Sequence, residues 1–252
     1  MPLRIAFDLD GVLADMEGEL VRQAEILFGE RMTRRLQDRA SEVEVPNTEG
    51  SIASPDSPND AAGDPEPPVE VDAVPPLVKL QMTGRQQRRL WRHVETIENF
   101  WETLVEIEPG AVARLAAIAT ERRWEVIFLT KRPESAGATA QMQTQRWLEA
   151  KGFSLPSVYV VQGSRGRIAA ALGLDFVVDD RPENCLDIVV DSRARAILVW
   201  RDGEQQLPIA ARRLGIGVVK SVDECLDILT QVDAPASEKT GVVDRVMQLL
   251  GL

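Results

Sequence analysis

Five short apolar runs, rich in β-branched or aromatic residues, punctuate the chain at 3–7, 126–129, 158–161, 176–178 and 196–200. Each has strand length and polar or turn-forming flanks, which predicts buried strands. Between the later runs, apolar residues recur every three to four positions over 111–123, 138–151 and 166–172, the period of amphipathic helices. Parallel strands cannot be joined by a tight turn and need a crossover, usually a helix. The alternation therefore predicts an α/β fold built on a doubly wound parallel sheet. One connection breaks the rhythm. About 118 residues separate the first run from the second, far more than a crossover requires. A small helical cap inserted after the first strand is expected over 15–105, leaving 1–14 and 106–232 as the core. Beyond the fifth run, Arg201-Asp202-Gly203 signals a turn and Ser221-Val222-Asp223-Glu224 opens a helix with a capping box. Residues 233–252 read as a polar linker and an amphipathic helix able to dock on the core or on a second copy of the chain, so a homodimer is left open.

Composition changes this picture in one place. The chain has 252 residues, 44% hydrophobic and 27% charged, which excludes wholesale disorder. Its net charge of −11 is uneven: nine acidic residues and eight of the fifteen prolines fall within 41–78, without a single Lys, Arg or aromatic residue. Such a segment cannot bury enough apolar surface to offset its ordering entropy, and a disordered insertion in the cap is expected. Basic residues flank it: Arg31, Arg34, Arg35 and Arg39 before, Lys79, Arg85, Arg88, Arg89 and Arg92 after. They form either solvated helix faces or a surface that attracts an anionic substrate. With no contiguous basic stripe, strong nucleic-acid binding is not expected. No apolar run approaches the roughly 20 residues of a membrane helix, and the first residues lack a signal-peptide core, so a cytoplasmic protein is expected. Cys185 and Cys225 lie far apart without CxxC spacing and with one histidine in the chain, His93; they read as two buried thiols.

Open α/β sheets bind ligands at the carboxyl ends of their strands. There the first run meets Asp8-Leu9-Asp10-Gly11, the second Thr130-Lys131-Arg132-Pro133, and the fourth Asp179-Asp180-Arg181-Pro182. Carboxylates so concentrated repel one another unless a cation joins them, and hard oxygen ligands suit magnesium; Asp8, Asp10, Asp179 and Asp180 are the expected Mg²⁺ set. Asp8 is then a carboxylate nucleophile able to form an aspartyl-phosphate. Asp10 protonates the leaving oxygen and later deprotonates water. Thr130 offers a hydroxyl and a backbone N–H to the phosphoryl group. A fixed cation should counter its charge; Arg165, after the third run, is the candidate, with Arg167 and Lys131 as alternatives. Taken singly, each residue has a plainer reading as a turn, a cap or a surface charge. Their succession at strand ends gives the pattern its meaning.

That succession resembles the haloacid dehalogenase superfamily of phosphohydrolases: Asp8-Leu9-Asp10-Gly11 as nucleophile and acid/base, Thr130 as second motif, Arg165 as basic third, and Asp179-Asp180 as metal-binding fourth. The cap between the first two motifs matches the superfamily's type 1 position. Asp8 to Asp15, Asn99-Phe100-Trp101-Glu102-Thr103-Leu104 with Glu108-Pro109-Gly110-Ala111, and Val178-Asp179-Asp180-Arg181-Pro182 look like the 5′(3′)-deoxyribonucleotidases. The third motif departs from the usual Lys, and Lys131-Arg132 stand where a small residue is usual, with substrate phosphate as their conceivable target. The resemblance implies a Mg²⁺-dependent phosphatase of small phosphomonoesters, foremost nucleoside monophosphates, in which Phe100 and Trp101 enclose the base unless they only pack the cap on the core. A sugar phosphate or a polynucleotide 3′-phosphate are alternative substrates. A non-catalytic binding or scaffold protein on the same fold is the alternative of another class.

Overall fold

Six strands form one sheet in a computed structural model that describes residues 2–43, 80–202, 207, 211 and 214–233. They are β1 (Arg4–Asp8), β2 (Glu125–Thr130), β3 (Ser157–Val160), β4 (Phe176–Asp179), β5 (Arg195–Val199) and β6 (Gly217–Val219), in the order β3-β2-β1-β4-β5-β6. Every neighbouring pair is parallel. The fold is the expected doubly wound α/β sheet.

The period of two along each strand sorts side chains between two cores. Ile5, Phe7, Phe128, Val178 and Ile197 face one layer, packed with α4 (Ala111–Arg122), α5 (Ala140–Ala150) and the last described helix, α8 (Val222–Asp233). Ala6, Leu129, Val177, Ala196 and Leu198 face the other, against α6 (Arg165–Leu172) and α7 (Pro182–Asp191). Covered on both faces, the strands read as continuous apolar runs rather than alternating ones.

Between β1 and α4 stand α1 (Met16–Phe28), α2 (Glu30–Val43), α3 (Gly84–Glu95) and a 3₁₀ turn at Phe100–Glu102. Helix α1 packs against both α2 and α3. Asp15 caps α1 by accepting a hydrogen bond from Gly18 N at 2.9 Å. Thr83 and Gln86 form a reciprocal capping box on α3. The outgoing and returning chains run side by side, with Asp15 N donating to Val105 O and Ile107 N to Leu13 O, both at 2.9 Å. The segment 44–79 and the stretch 234–252 lie outside the described residues, and with them the terminal helix and the acidic insertion expected over 41–78, except that 41–43 continue helix α2. Among the described residues no helix is long and apolar enough to cross a membrane.

Candidate active site

Strand order reverses between β1 and β4, where the chain winds one way to β2 and β3 and the other way to β5 and β6. The crevice at the carboxyl ends of these two strands is the ligand position of such sheets. Asp8 ends β1 and Asp179 ends β4, both buried. After Asp8 the chain folds into a tight turn, Leu13 N and Ala14 N both donating to Leu9 O. Gly11 has φ +90°, and a Cβ there would lie 1.9 Å from Asp180 Oδ2. Only glycine gives both this conformation and this approach. Arg201 holds the turn from behind, donating to Gly11 O at 2.5 Å, to Val12 O at 3.1 Å and to Glu108 at 2.7 Å. Glu108 in turn accepts from Val222 N and Asp223 N at the start of α8.

Arg165 is the first residue of α6. Ser164 caps that helix, accepting from Arg167 N and donating to Asp187. A Cβ at Gly166 would lie 2.2 Å from Asp187 O, so α6 is seated directly on the α7 backbone. This seating brings Arg165 into the site: Nη2 donates to Asp8 Oδ1 at 2.6 Å, and Nε stands 3.9 Å from Asp179 Oδ2. Arg167 is solvent-exposed, 3.7 Å from Asp191, and Lys131 is half-buried. Arg165 is thus a candidate cation in direct contact with Asp8.

Asp10 is held differently from the expectation of a metal ligand. Arg132 Nε donates to both its oxygens at 3.0 Å and Nη2 to Oδ1 at 2.7 Å, while Thr130 Oγ1 donates to Oδ2 at 3.0 Å. The Arg132 side chain is fully buried. Its third nitrogen, Nη1, donates to Thr144 Oγ1 at 2.8 Å, and its guanidinium carbon stands 4.9 Å from the centroid of the Trp101 ring. Arg132, expected from the sequence as a cation able to reach substrate phosphate, is instead bound to Asp10. Its spacing of two from Thr130, which puts both side chains on the same side of an extended chain, was the available signal.

Phe100 and Trp101 do not offer a stacking face. Both are 0% exposed, in an edge-to-face pair with centroids 4.9 Å apart. Trp101 N donates to Gln143 Oε1 and its Nε1 to Pro133 O, each at 3.0 Å. With Arg132 on its ring as well, Trp101 joins the returning chain to the loop after β2, the packing arrangement of the two that the sequence left open. His93 on α3 pairs with Gln23 on α1, at 3.1 Å.

The expected four-carboxylate metal centre is also redrawn. Among the described residues, no group of three or more His, Cys, Asp or Glu side chains is arranged to hold a metal ion. The reason is visible in the partners: Arg132 occupies Asp10, and Asn184 Nδ2 binds both oxygens of Asp179, whose Oδ1 also accepts from Arg181 N. Asp8 and Asp180 remain. Asp180 Oδ1 is buried without a hydrogen-bond partner, as is Arg165 Nη1. Burial, and after it the charge of Asp179, pushes the Asp8 carboxyl well above the ordinary carboxylate range. The same two causes push Asp180 up to about 7, and burial raises Asp179. Carboxylates that resist ionising together, one with an unmatched oxygen, suit a hard cation. Mg²⁺ commonly takes only one or two carboxylates and completes its shell with water and phosphate oxygens, so Asp8 and Asp180 fit it.

No protein-family model matches the chain, and no curated protein matches it. Similar solved structures include a hydrolase from Pseudomonas syringae, 16% identical, covering 94% of this chain and 100% of that one at a TM-score of 0.46. A HAD family hydrolase from Deinococcus radiodurans R1, with bound phosphate and sodium, is 16% identical over 89% of this chain and 93% of that one, TM-score 0.48. A haloacid dehalogenase-like family protein from Streptococcus pneumoniae is 13% identical over 90% and 98%, TM-score 0.44. Likeness at this level concerns the course of the backbone and nothing finer.

Proposed function

We propose that the chain is a Mg²⁺-dependent phosphatase of the haloacid dehalogenase type, hydrolysing small phosphomonoesters through an aspartyl-phosphate on Asp8. The observation that carries this reading is the pair of unmatched buried atoms in the Asp8 cluster: Arg165 Nη1, a donor without an acceptor, and Asp180 Oδ1, an acceptor without a donor. Buried polar atoms are rarely left unmatched. An oxyanion satisfies the first and a cation the second, and a phosphoryl group with its metal brings both.

Asp8, at the end of β1, attacks phosphorus. Arg165 offsets the charge on the equatorial oxygens from a position fixed by the α6–α7 contact. Asp10 delivers a proton to the leaving oxygen and then takes one from the water that cleaves the acyl phosphate. Thr130 holds Asp10 through its hydroxyl. Asp179, bound by Asn184 and the Arg181 N–H, orients the β4 terminus and so Asp180. When bound, Mg²⁺ neutralises the carboxylates and polarises the phosphoryl oxygens. Nucleoside monophosphates are the preferred substrate class of this reading. The preference rests on the likeness of the motifs to the 5′(3′)-deoxyribonucleotidases and not on Phe100 or Trp101.

Phosphate release with Mg²⁺ from nucleoside 5′- and 3′-monophosphates, sugar phosphates and 3′-phosphorylated oligonucleotides tests both levels. Turnover that EDTA removes and Mg²⁺ restores supports the phosphatase, and the ranking of substrates assigns the class. Absence of release from every phosphoester overturns the enzyme reading and leaves a binding or scaffold protein.

A further inference from the structure

We infer that Arg132 is the residue that positions Asp10 for the second half of the reaction, the hydrolysis of the aspartyl-phosphate. The inference rests on the phosphatase reading above and goes beyond it, because that reading gives Arg132 no part. In this half-reaction water adds its oxygen to phosphorus, the bond from phosphorus to the Asp8 carboxylate breaks, and one water proton passes to Asp10. Inorganic phosphate leaves and the Asp8 carboxylate is restored. The step needs the Asp10 oxygens aimed at one point, since proton transfer requires hydrogen-bond reach.

Asp10 lies in a turn, beyond the strand that fixes Asp8. Thr130 gives the Asp10 carboxylate a single hydrogen bond, to Oδ2, which holds one point and leaves the plane of the group unset. Arg132 supplies the clamp with two nitrogens on one carboxylate, a planar fork that fixes the plane of its partner. The fork itself is immobile. Thr144 on α5 accepts from its third nitrogen, the Trp101 ring covers its face, and its side chain is 0% exposed. Two separate elements thus converge on a guanidinium whose carboxylate partner is Asp10. Arg132 touches no reacting atom, so it is a positioning residue.

p-Nitrophenyl phosphate separates this role from a merely structural one, because its leaving group departs without needing a proton. Phosphorylation of Asp8 should therefore survive loss of the clamp while hydrolysis slows. In Arg132→Lys, kcat should fall by at least about tenfold, a part of the about 10²–10⁴-fold that general acid–base catalysis supplies. The fall should come with a stoichiometric burst of p-nitrophenolate and an accumulated phosphoenzyme in acid-quenched samples. Thr144→Val, which removes only the Arg132 support, should shift both readouts in the same direction by less. Combining Arg132→Lys with Asp10→Asn should be no slower than Asp10→Asn alone, as expected of residues that act as a unit.

A fall in kcat without a burst or phosphoenzyme in both Arg132→Lys and Thr144→Val overturns the assignment, as does unchanged turnover. If Arg132→Lys does not fold, Thr144→Val decides alone. A wild type that never releases p-nitrophenolate overturns the phosphatase reading and this assignment together, whereas an active wild type with burst-free variants overturns the assignment alone.

Discussion

Replacing Gly166 with Ala sets two effects against each other. Gly166 is in the first turn of α6, and a Gly to Ala change inside a helix by itself gains about 1 kcal/mol. The added methyl, however, would stand 2.2 Å from the Asp187 carbonyl oxygen and 2.7 Å from Asp191 Cβ. The nearer atom is main chain and cannot swing aside. Ordinary contact begins at 3.4 Å, so α6 must retreat from α7 by about 1 Å. Overpacking of this kind costs about 1–3 kcal/mol, which exceeds or cancels the propensity gain. Since a change of 1 kcal/mol moves the Tm of a chain this size by about 2–4 °C, a net loss of a few degrees is expected. The retreat also carries Arg165 off Asp8, from its 2.6 Å contact. A misplacement of about 1 Å at a reacting centre can lower kcat about a hundredfold. Thermal melts and phosphate release are the assays, with Gly84→Ala as control. There the nearest atom to a new Cβ is 3.8 Å away, and Tm should hold or rise. A Gly166→Ala protein that is more stable and fully active would refute the claim that the α6–α7 contact delivers Arg165.

Other outcomes follow from the same geometry. Asp180 has its folded pKa raised to about 7, above the unfolded value of about 3.9, so its contribution to stability is present below about pH 4 and is lost as pH rises toward 7. Asp180→Asn should therefore raise the Tm of metal-free protein at about pH 8 and leave it little changed near about pH 4; an equal shift at both pH values contradicts the cause. The same variant should weaken Mg²⁺ binding in calorimetry, and unaltered affinity would remove Asp180 from the metal's ligands. Glu108→Gln takes a charge from the N-terminus of α8 and from Arg201, and should cost about 1–3 kcal/mol in urea unfolding; no measurable loss would show that these bonds are replaced by water.

What the sequence displayed of the fold was the part dictated by burial. β1 and β4 are covered on both faces, so their apolar residues run without interruption, and all five runs became strands within a residue or so of the expected ends. β6 escaped because Gly217–Val219 is too short to show a period. Helix α7 escaped because Asp-Asp-Arg-Pro reads equally as a turn, although Pro182 stands at its first position, where a missing N–H costs nothing. The meeting of Asp8, Asp179 and Asp180 was legible because all three stand at the carboxyl ends of neighbouring strands. For Arg132 the spacing of two from Thr130 was the one local sign, since its partners Asp10, Thr144 and Trp101 come from three other segments. The two readings of Phe100 and Trp101 could not be separated in the sequence for a related reason: ring identity is written in the chain, but ring exposure depends on what Arg132 and Pro133 place against it. A count of carboxylates likewise leaves out their partners, because Arg132 on Asp10 and Asn184 on Asp179 come from elsewhere in the chain.

The central claim is that Asp8 attacks phosphorus. Its most direct test is to mix the protein with Mg²⁺ and labelled p-nitrophenyl phosphate, quench in acid within a turnover, and locate the label by peptide mass spectrometry. The account predicts phosphate on the peptide containing Asp8, absent from Asp8→Asn and more abundant in Arg132→Lys. Phosphate release that continues undiminished in Asp8→Asn, with no labelled Asp8 in the wild type, would contradict it.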